Sequence, residues 1–184
     1  MLVEQEFLNE QLEGNDMLSV IFDKVKLKTA NFSGRMDNLR SSILIPQLED
    51  LDNKVIKWNN LYKELYDRLK TQDGIFIPNR DKREFYVGSS IQFRLKDFAD
   101  KKIQDFIKNC KKRGVDLKWF GDKNPIAYTS RYDSWKYLEN IPVLKNTLEI
   151  LKTTLDMRIP LTFDNNDCRI IAEIIIEEFR KLKL

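Results

Sequence analysis

The sequence contains no histidine and only two cysteines, Cys110 and Cys168, among its 184 residues. Without histidine, neither a Ser-His-Asp nor a Cys-His catalytic group can be assembled, and the commonest zinc ligand is missing. Each cysteine falls on the apolar side of a predicted helix, which is typical of a small buried side chain in a reducing compartment. We therefore predict no histidine-dependent catalysis, no metal site and no disulfide.

Glycine-rich and long apolar segments are also missing. The six glycines are spread between Gly14 and Gly121, and no two lie close enough to form a phosphate-binding loop. No apolar run is long enough to span a bilayer, and the first residues lack the basic and apolar regions of a signal peptide. We therefore expect no membrane association and a cytoplasmic location.

What the sequence does contain is typical of a folded globular protein. It is 42% hydrophobic and 33% charged, and its length suits one domain or a domain with an added arm. The net charge of +3 comes from 32 basic and 29 acidic residues spread along the chain. Because no basic stripe with interleaved aromatic residues is present, we predict no nucleic-acid binding.

The strongest pattern is a series of apolar residues at alternating spacings of four and three, which predicts one long helix with one apolar seam. Pro46 lies near its start, so the helix either begins there or kinks after residues 35–45. Asp73-Gly74 ends it. The seam residues are Leu44, Leu48, Leu51, Val55, Trp58, Tyr62, Leu65 and Leu69.

Beyond the long helix, the apolar pattern alternates between strand and helix periods. The predicted elements are a strand over residues 85–95, a helix over 97–113 closed by Gly114, a strand over 115–119, a helix near Pro142 carrying Leu144 to Leu155, a strand over 158–162, and a last helix capped by residues 164–167. Because Pro160 lies in the strand over 158–162, that strand is expected at a sheet edge. The order predicts an α+β fold.

These patterns divide the chain into three parts. Residues 1–28 form an N-terminal arm with a short helix from Asp16, residues 29–74 form a turn and the long linking helix, and residues 75–184 form a small α+β domain.

Four segments, in this order, carry a family resemblance: Asn31-Phe32-Ser33-Gly34-Arg35-Met36-Asp37-Asn38-Leu39-Arg40 with Pro46-Gln47-Leu48 and Leu51-Asp52, then residues 114–121, 129–135 and 157–163. Together they resemble the C-terminal part of the DegT/DnrJ/StrS aminotransferases, which depend on pyridoxal phosphate (PLP). The resemblance runs from about Asp16 to the end of the chain. It implies a long linking helix followed by a small sheet covered by helices, as in the small C-terminal domain of fold-type I aminotransferases.

The resemblance also implies site residues. In the family, the turn before the long helix donates to the cofactor phosphate of the neighbouring subunit, which assigns Ser33 and Arg35 to cofactor binding. Arg131 and Tyr132 would bind substrate at the mouth of the intact site. Ordinary structural roles are also open: Ser33 and Gly34 as a helix cap and turn with Arg35 on the surface, and Arg131 as a stem packed on aromatic rings.

Family members begin with a large α/β domain that holds the Schiff-base lysine, and the residues before Asp16 leave no room for it. We therefore expect a C-terminal fragment of a PLP-dependent aminotransferase, of a family that often uses keto sugars, with no catalytic residue of its own. This chain alone should bind no PLP and should be inactive, or should complement a separately encoded N-terminal half. The alternative is a stand-alone interaction or oligomerisation domain. The expected partner is a second copy, in a dimer, or the N-terminal half.

Overall fold

The computed structural model describes residues 36–123, 133 and 138–183. The chain divides into two compact units, one of Met1–Arg40 and Asp122–Val143 and one of Ser41–Gly121 and Leu144–Leu184. In the described part of the first unit, the Asp37 carboxylate accepts a hydrogen bond from the backbone N–H of Arg40 at 2.8 Å and starts a helix. The second unit holds the sheet and its helices.

The described elements are α1 (Asn38–Glu49), α2 (Leu51–Leu69), β1 (Ile75–Phe76), β2 (Ser90–Leu95), α3 (Asp100–Lys112), β3 (Lys118–Trp119), α4 (Lys145–Thr153), β4 (Thr154–Arg158) and α5 (Asn165–Leu182). The four strands form one antiparallel sheet in the order β1-β2-β4-β3. This arrangement confirms the predicted α+β fold class. Within the described ranges, no helix is both long and apolar enough to cross a membrane.

One face of the sheet and the inner faces of three helices form the core. On β2, Ile91, Phe93 and Leu95 are fully buried and alternate with half-buried polar residues, which is the period-2 pattern of a strand that is covered on one face. Helices α2 and α3 both pack against α5. The largest fully buried side chains are Phe93, Phe106, Phe179, Leu65, Leu69, Ile91, Leu95, Ile103, Leu155, Ile159, Ile175 and Cys110.

Two predicted helix ends are confirmed. At the start of α5, the side chain of Asp164 accepts from the backbone N–H of Asp167, and the side chain of Asp167 accepts from the backbone N–H of Asp164, at 2.9 and 3.0 Å. This reciprocal pair is a capping box. After α3, Gly114 takes a positive φ of 87°, a conformation that glycine adopts without a steric penalty.

The predicted single long helix is two helices, because the helical pattern is interrupted at Asp50. Pro46 lies inside α1 and has no N–H to donate to the carbonyl four residues earlier, which weakens the helix at that turn. Asp50, with φ −101° and ψ 10°, then stands at the N-cap of α2, where its side chain makes no capping hydrogen bond. The seam is also divided in its environment: Leu48 and Leu51 are exposed, whereas Val55 and the later seam residues are buried or half-buried.

The predicted strand over 158–162 and its edge position are wrong. The strand is β4, which begins at Thr154 and lies between β2 and β3. Buried Leu155 and Met157 alternate with half-buried Thr154 and Asp156, which is the period of a strand. The leucine spacing had predicted that the preceding helix continues through Leu155. Pro160 lies after the strand and therefore does not restrict it to an edge.

The predicted strand over 85–95 begins later than expected, at Ser90. Phe85 and Val87, which continue the alternation in the sequence, are exposed in the loop between β1 and β2. The short helix predicted from Asp16 lies outside the described residues.

Candidate functional site

The four predicted site residues, Ser33, Arg35, Arg131 and Tyr132, lie outside the described residues, and their roles remain predictions. The described chain begins directly after the predicted phosphate-binding turn. There, α1 starts at Asn38, and Asp37 accepts the backbone N–H of Arg40 and pairs with its guanidinium at 3.2 Å. A helix therefore follows the turn, as the family resemblance implies.

Neither cysteine is suited to nucleophilic chemistry. Burial raises the pKa of Cys110 to about 12 and that of Cys168 to about 11. Since the thiolate is the reactive form, both side chains act as small apolar core residues. Within the described ranges, no group of three or more cysteine or carboxylate side chains lies close enough to hold a metal ion.

Lys118 is the described lysine whose environment comes nearest to that of a reactive amine. It lies half-buried on β3, where burial lowers its pKa and the carboxylate of Asp156 partly opposes that shift. Its neighbours on the same side of the sheet are polar: Gln92 donates to the Asp156 carboxylate at 2.5 Å. A Schiff-base lysine needs both a lowered pKa and a pocket that fixes the cofactor, and Lys118 shows the first of these.

A polar cavity of about 670 Å³ lies between α2 and the start of α5. It is lined by side chains of both charges, and three of the four charged lining residues of α2 are paired within the helix. Lys63 pairs with Asp67, and Glu64 accepts from Arg68 at 2.7 Å. With two lysines and three carboxylates in its lining, the cavity offers no large excess of one charge that would select a charged ligand.

A second cavity, of about 330 Å³, contains an aromatic cluster that the sequence did not predict. The Arg80 guanidinium lies 5.1 Å from the ring centre of Tyr62 and 4.2 Å from that of Tyr86. It also pairs with Glu84 at 2.9 Å. Because an arginine of the same chain already fills the space between the two rings, the cluster fixes the loop between β1 and β2.

The clearest functional feature of the second unit is an exposed apolar surface at the start of its helical part. Helix α1 has no buried residue. We define the apolar surface as the exposed side chains Ile43, Leu44, Ile45, Leu48, Leu51 and Ile56. Large exposed apolar side chains gathered along one stretch of a folded protein are a candidate interaction surface.

The loop between β1 and β2 adds an exposed aromatic side chain beside α2. Asn59 of α2 donates to the carbonyl of Tyr86 at 3.0 Å and accepts from the N–H of Gly88 at 2.7 Å. A Cβ on Gly88 would lie 2.6 Å from Cβ of Tyr62, so only glycine allows this close approach. The loop is thus held against the helix while Phe85 remains 88% exposed.

Comparison with known proteins identifies the relatives of this chain. The model of the DegT/DnrJ/EryC1/StrS aminotransferase family matches residues 11–175. No curated protein matches the chain significantly.

Several solved structures share the fold. The aminotransferase TlmJ from Streptoalloteichus hindustanus is 15% identical with a TM-score of 0.66. The alignment covers 84% of this chain and 40% of TlmJ. Helicobacter pylori PseC, an aminotransferase involved in the biosynthesis of pseudoaminic acid, is 13% identical with a TM-score of 0.65. The alignment covers 86% of this chain and 45% of PseC. DesI, solved in the presence of its TDP-sugar product, is 11% identical with a TM-score of 0.58. The alignment covers 74% of this chain and 34% of DesI. The chain thus spans less than half the length of these proteins.

Proposed function

Because the chain belongs to the DegT/DnrJ/EryC1/StrS aminotransferase family, we propose that it supplies the small-domain part of a PLP-dependent amino-group transfer. The observation that carries the proposal is the family match over residues 11–175. The fold agrees with it, since aminotransferases of known structure resemble 84–86% of the chain in the two most extensive of these comparisons.

The bound cofactor would supply the chemistry that moves an amino group from a donor to a keto acceptor. We propose that this chain contributes binding groups. The Ser33 hydroxyl and the Arg35 guanidinium would donate to the cofactor phosphate, because a guanidinium can bind phosphate with two parallel hydrogen bonds. Arg131 and Tyr132 would orient the substrate at the mouth of the site. Helix α1, which begins three residues after Arg35, would hold the phosphate-binding turn.

We propose keto sugars, carried on a nucleotide, as the substrate class. The support is that DesI was solved with a TDP-sugar product. The carbonyl carbon of such a sugar accepts the amino group, and its nucleotide phosphates give Arg131 an anionic group to bind.

We propose that the chain needs a second domain, carrying the Schiff-base lysine, for activity. The chain spans 40% and 45% of the length of two similar aminotransferases, and the described lysine with the most suitable pKa, Lys118, lies on a polar sheet face among charged neighbours. We propose that such a domain and this chain act together in the cytoplasm. A stand-alone interaction domain is the second candidate, which the apolar surface of α1 favours.

The first test is PLP labelling of the purified chain, followed by borohydride reduction and peptide mapping. We expect low labelling distributed over several lysines. Lys118 should exceed the other described lysines, since a lowered pKa leaves more of its amine neutral, and Lys118→Arg should remove that excess only. One lysine labelled stoichiometrically would show that the chain holds the cofactor by itself.

The second test measures amino transfer from an amino-acid donor to a nucleotide-linked keto sugar. The chain is assayed alone and with the protein encoded by the upstream reading frame. We expect turnover only when both are present, and Arg35→Ala should raise the PLP concentration needed for half-maximal activity while Arg40→Ala should not. Turnover by the chain alone, or none with a PLP-lysine protein that binds it, would contradict the proposal.

A further inference from the structure

The polar face of the sheet brings three charged side chains together, Lys118 of β3 and Asp156 and Arg158 of β4. Lys118 and Asp156 are opposite each other across the two strands. Asp156 and Arg158 alternate with the buried residues of β4 and therefore share a face, and Lys118 lies on that face because the buried residue of β3 is Trp119. Opposed and diagonal residues of paired strands are within reach of long side chains, so the three groups form one cluster.

Neither cation of this cluster is neutralised by an opposite charge. Among the residues that the structure describes, Lys118 and Arg158 take part in no ion pair. The Lys118 ammonium lies 5.2 Å from the ring centre of Phe120. The Asp156 carboxylate accepts a hydrogen bond from Gln92 at 2.5 Å, which fixes it opposite Lys118. The cluster thus combines an unpaired amine, a fixed carboxylate and a free guanidinium.

Lys118 differs in this respect from Lys54, which is the other half-buried lysine of the described residues. The Lys54 ammonium donates to a backbone carbonyl at 3.3 Å and pairs with Asp50 at 3.9 Å. Burial lowers the pKa of Lys118, Asp156 opposes the shift and Arg158 adds to it. Because the neutral amine is the nucleophilic form of lysine, Lys118 is both freer and more reactive than Lys54.

We propose that Lys118 is a modification site at which an acyl phosphate, of the acetyl phosphate type, acylates the side-chain amine. The Arg158 guanidinium binds the phosphate group of the reagent with two parallel hydrogen bonds. It thereby holds the acyl carbon close to Nζ of Lys118, which speeds the attack by proximity. The inference rests on the sheet face and does not depend on the proposed aminotransferase function.

The acylation needs no further reactant. The Lys118 ammonium first loses a proton, for which the facing Asp156 carboxylate is an acceptor, and Asp156 passes this proton to water. The electron pair of the neutral Nζ then attacks the carbonyl carbon. A C–N bond forms as the C–O bond to phosphate breaks, and inorganic phosphate leaves with the electron pair of that bond and takes the second proton from nitrogen. The product is an uncharged amide.

The test compares two acetylating reagents on the full chain, acetyl phosphate and the uncharged 4-nitrophenyl acetate. Peptide mass spectrometry gives the acetylation rate of each lysine with each reagent. We define the reagent ratio of a lysine as its rate with acetyl phosphate divided by its rate with 4-nitrophenyl acetate, which cancels differences in exposure and nucleophilicity. The reagent ratio should be about tenfold larger at Lys118 than at Lys54, the order that one charge-assisted hydrogen bond provides. Added inorganic phosphate should lower it at Lys118 by competing for Arg158.

Matched variants isolate the contribution of the guanidinium. Arg158→Gln should lower the reagent ratio of Lys118 to that of Lys54, whereas Arg158→Lys should keep most of it because a cation remains. Arg169→Gln removes an exposed guanidinium from α5 and should leave the reagent ratio of Lys118 unchanged. Melting curves should show that all three variants remain folded, since both arginines are exposed.

Two outcomes would overturn the inference. One is a reagent ratio at Lys118 no larger than that at Lys54 in the wild type. The other is a larger ratio that persists in folded Arg158→Gln, because the preference for acetyl phosphate would then have another origin. Should Arg158→Gln unfold, the wild-type competition decides the matter: a reagent ratio at Lys118 that inorganic phosphate leaves unchanged also contradicts the proposed site.

Discussion

The two halves of the predicted seam have the same residue spacing and opposite environments. In the first half, Leu44, Leu48 and Leu51 are exposed, whereas in the second half Leu65 and Leu69 are fully buried. The second half packs against α5 and the sheet. The comparison teaches that apolar periodicity identifies the face of a helix that will be covered, but it does not identify the covering element.

Along the seam, the change from exposed to buried occurs between Leu51 and Val55, and Trp58 follows one turn after Val55. Its indole N–H donates to the carbonyl of Ile159 at 2.9 Å, which ties α2 to the segment after β4. Ile56, two residues before Trp58 and outside the seam, is 60% exposed. The boundary therefore lies one turn before the point where the segment after β4 contacts the helix.

The largest expected effect tests the buried side of this comparison. Trp119 is 5% exposed on β3, and its indole donates to the carbonyl of Lys152 at 2.8 Å. Trp119→Ala should cost about 3–5 kcal/mol, a large fraction of the roughly 5–15 kcal/mol that stabilises a typical domain. We expect thermal melts to lose their cooperative transition.

The matched control is Phe85→Ala, which removes an aromatic ring that is 88% exposed. At a concentration where the chain is monomeric, it should change the free energy of unfolding by less than about 0.5 kcal/mol. If Trp119→Ala lowers the melting temperature by only a few degrees, the packing of β3 against the core is weaker than its burial indicates.

The second prediction compares the two halves of the seam directly. Leu65 is fully buried and Leu48 is exposed, so Leu65→Ala should destabilise the monomer by about 2–5 kcal/mol. Leu48→Ala should change it by no more than about 0.5 kcal/mol. Urea denaturation of dilute samples measures both. Equal losses in the two variants would mean that the first half is also covered in solution.

Several parts of the fold could be predicted because local sequence decides them. The alternation of Ile91, Phe93 and Leu95 predicts β2, and the spacing of Ile103, Phe106 and Cys110 predicts α3. The start of α4 and the whole of β4 illustrate the opposite case. Leu155 fits the helical series from Leu144 and also alternates with Met157, so both periods are possible, and pairing with β2 and β3 selects the strand.

The contacts that sequence could not predict join residues far apart in the chain. Asn59 binds the backbone of Tyr86 and Gly88, and Arg80 stacks on Tyr62. No local pattern indicates such pairs. The candidate site itself was assigned through the family resemblance, and Ser33, Arg35, Arg131 and Tyr132 remain predictions because they lie outside the described residues.

A smaller effect is expected at the start of α5, the helix that covers the second half of the seam. Asp164→Ala removes the side chain that accepts from the Asp167 N–H at 2.9 Å, and losing such a cap costs typically about 1 kcal/mol. Asp164→Asn keeps a side-chain oxygen that can accept this bond, and it should lower the free energy of unfolding by only a few tenths of 1 kcal/mol. Urea denaturation distinguishes them, and equal losses would show that the charge at this position, rather than the hydrogen bond, stabilises the helix.

The smallest expected effect is a change in the response to acid, caused by Glu178 on the same helix. Its side chain is 3% exposed and accepts hydrogen bonds from Lys181 at 2.6 Å and Arg113 at 2.9 Å. The bond from Lys181, then that from Arg113, holds the pKa of Glu178 below its ordinary value of 4.5, although burial opposes them. Because the unfolded chain binds this proton more readily, the stabilisation is present above the unfolded pKa and is lost as pH falls through the folded pKa.

The wild type should therefore keep this contribution at neutral pH and lose it below about pH 4.5. Glu178→Gln should lower the melting temperature at pH 7 and make its decline in acid less steep. Glu173→Gln, which changes an exposed glutamate of α5, should leave the slope unchanged. Melting curves between about pH 3 and pH 7 measure this. If wild type and Glu178→Gln fall in parallel, the carboxylate is not held ionised by Lys181 and Arg113.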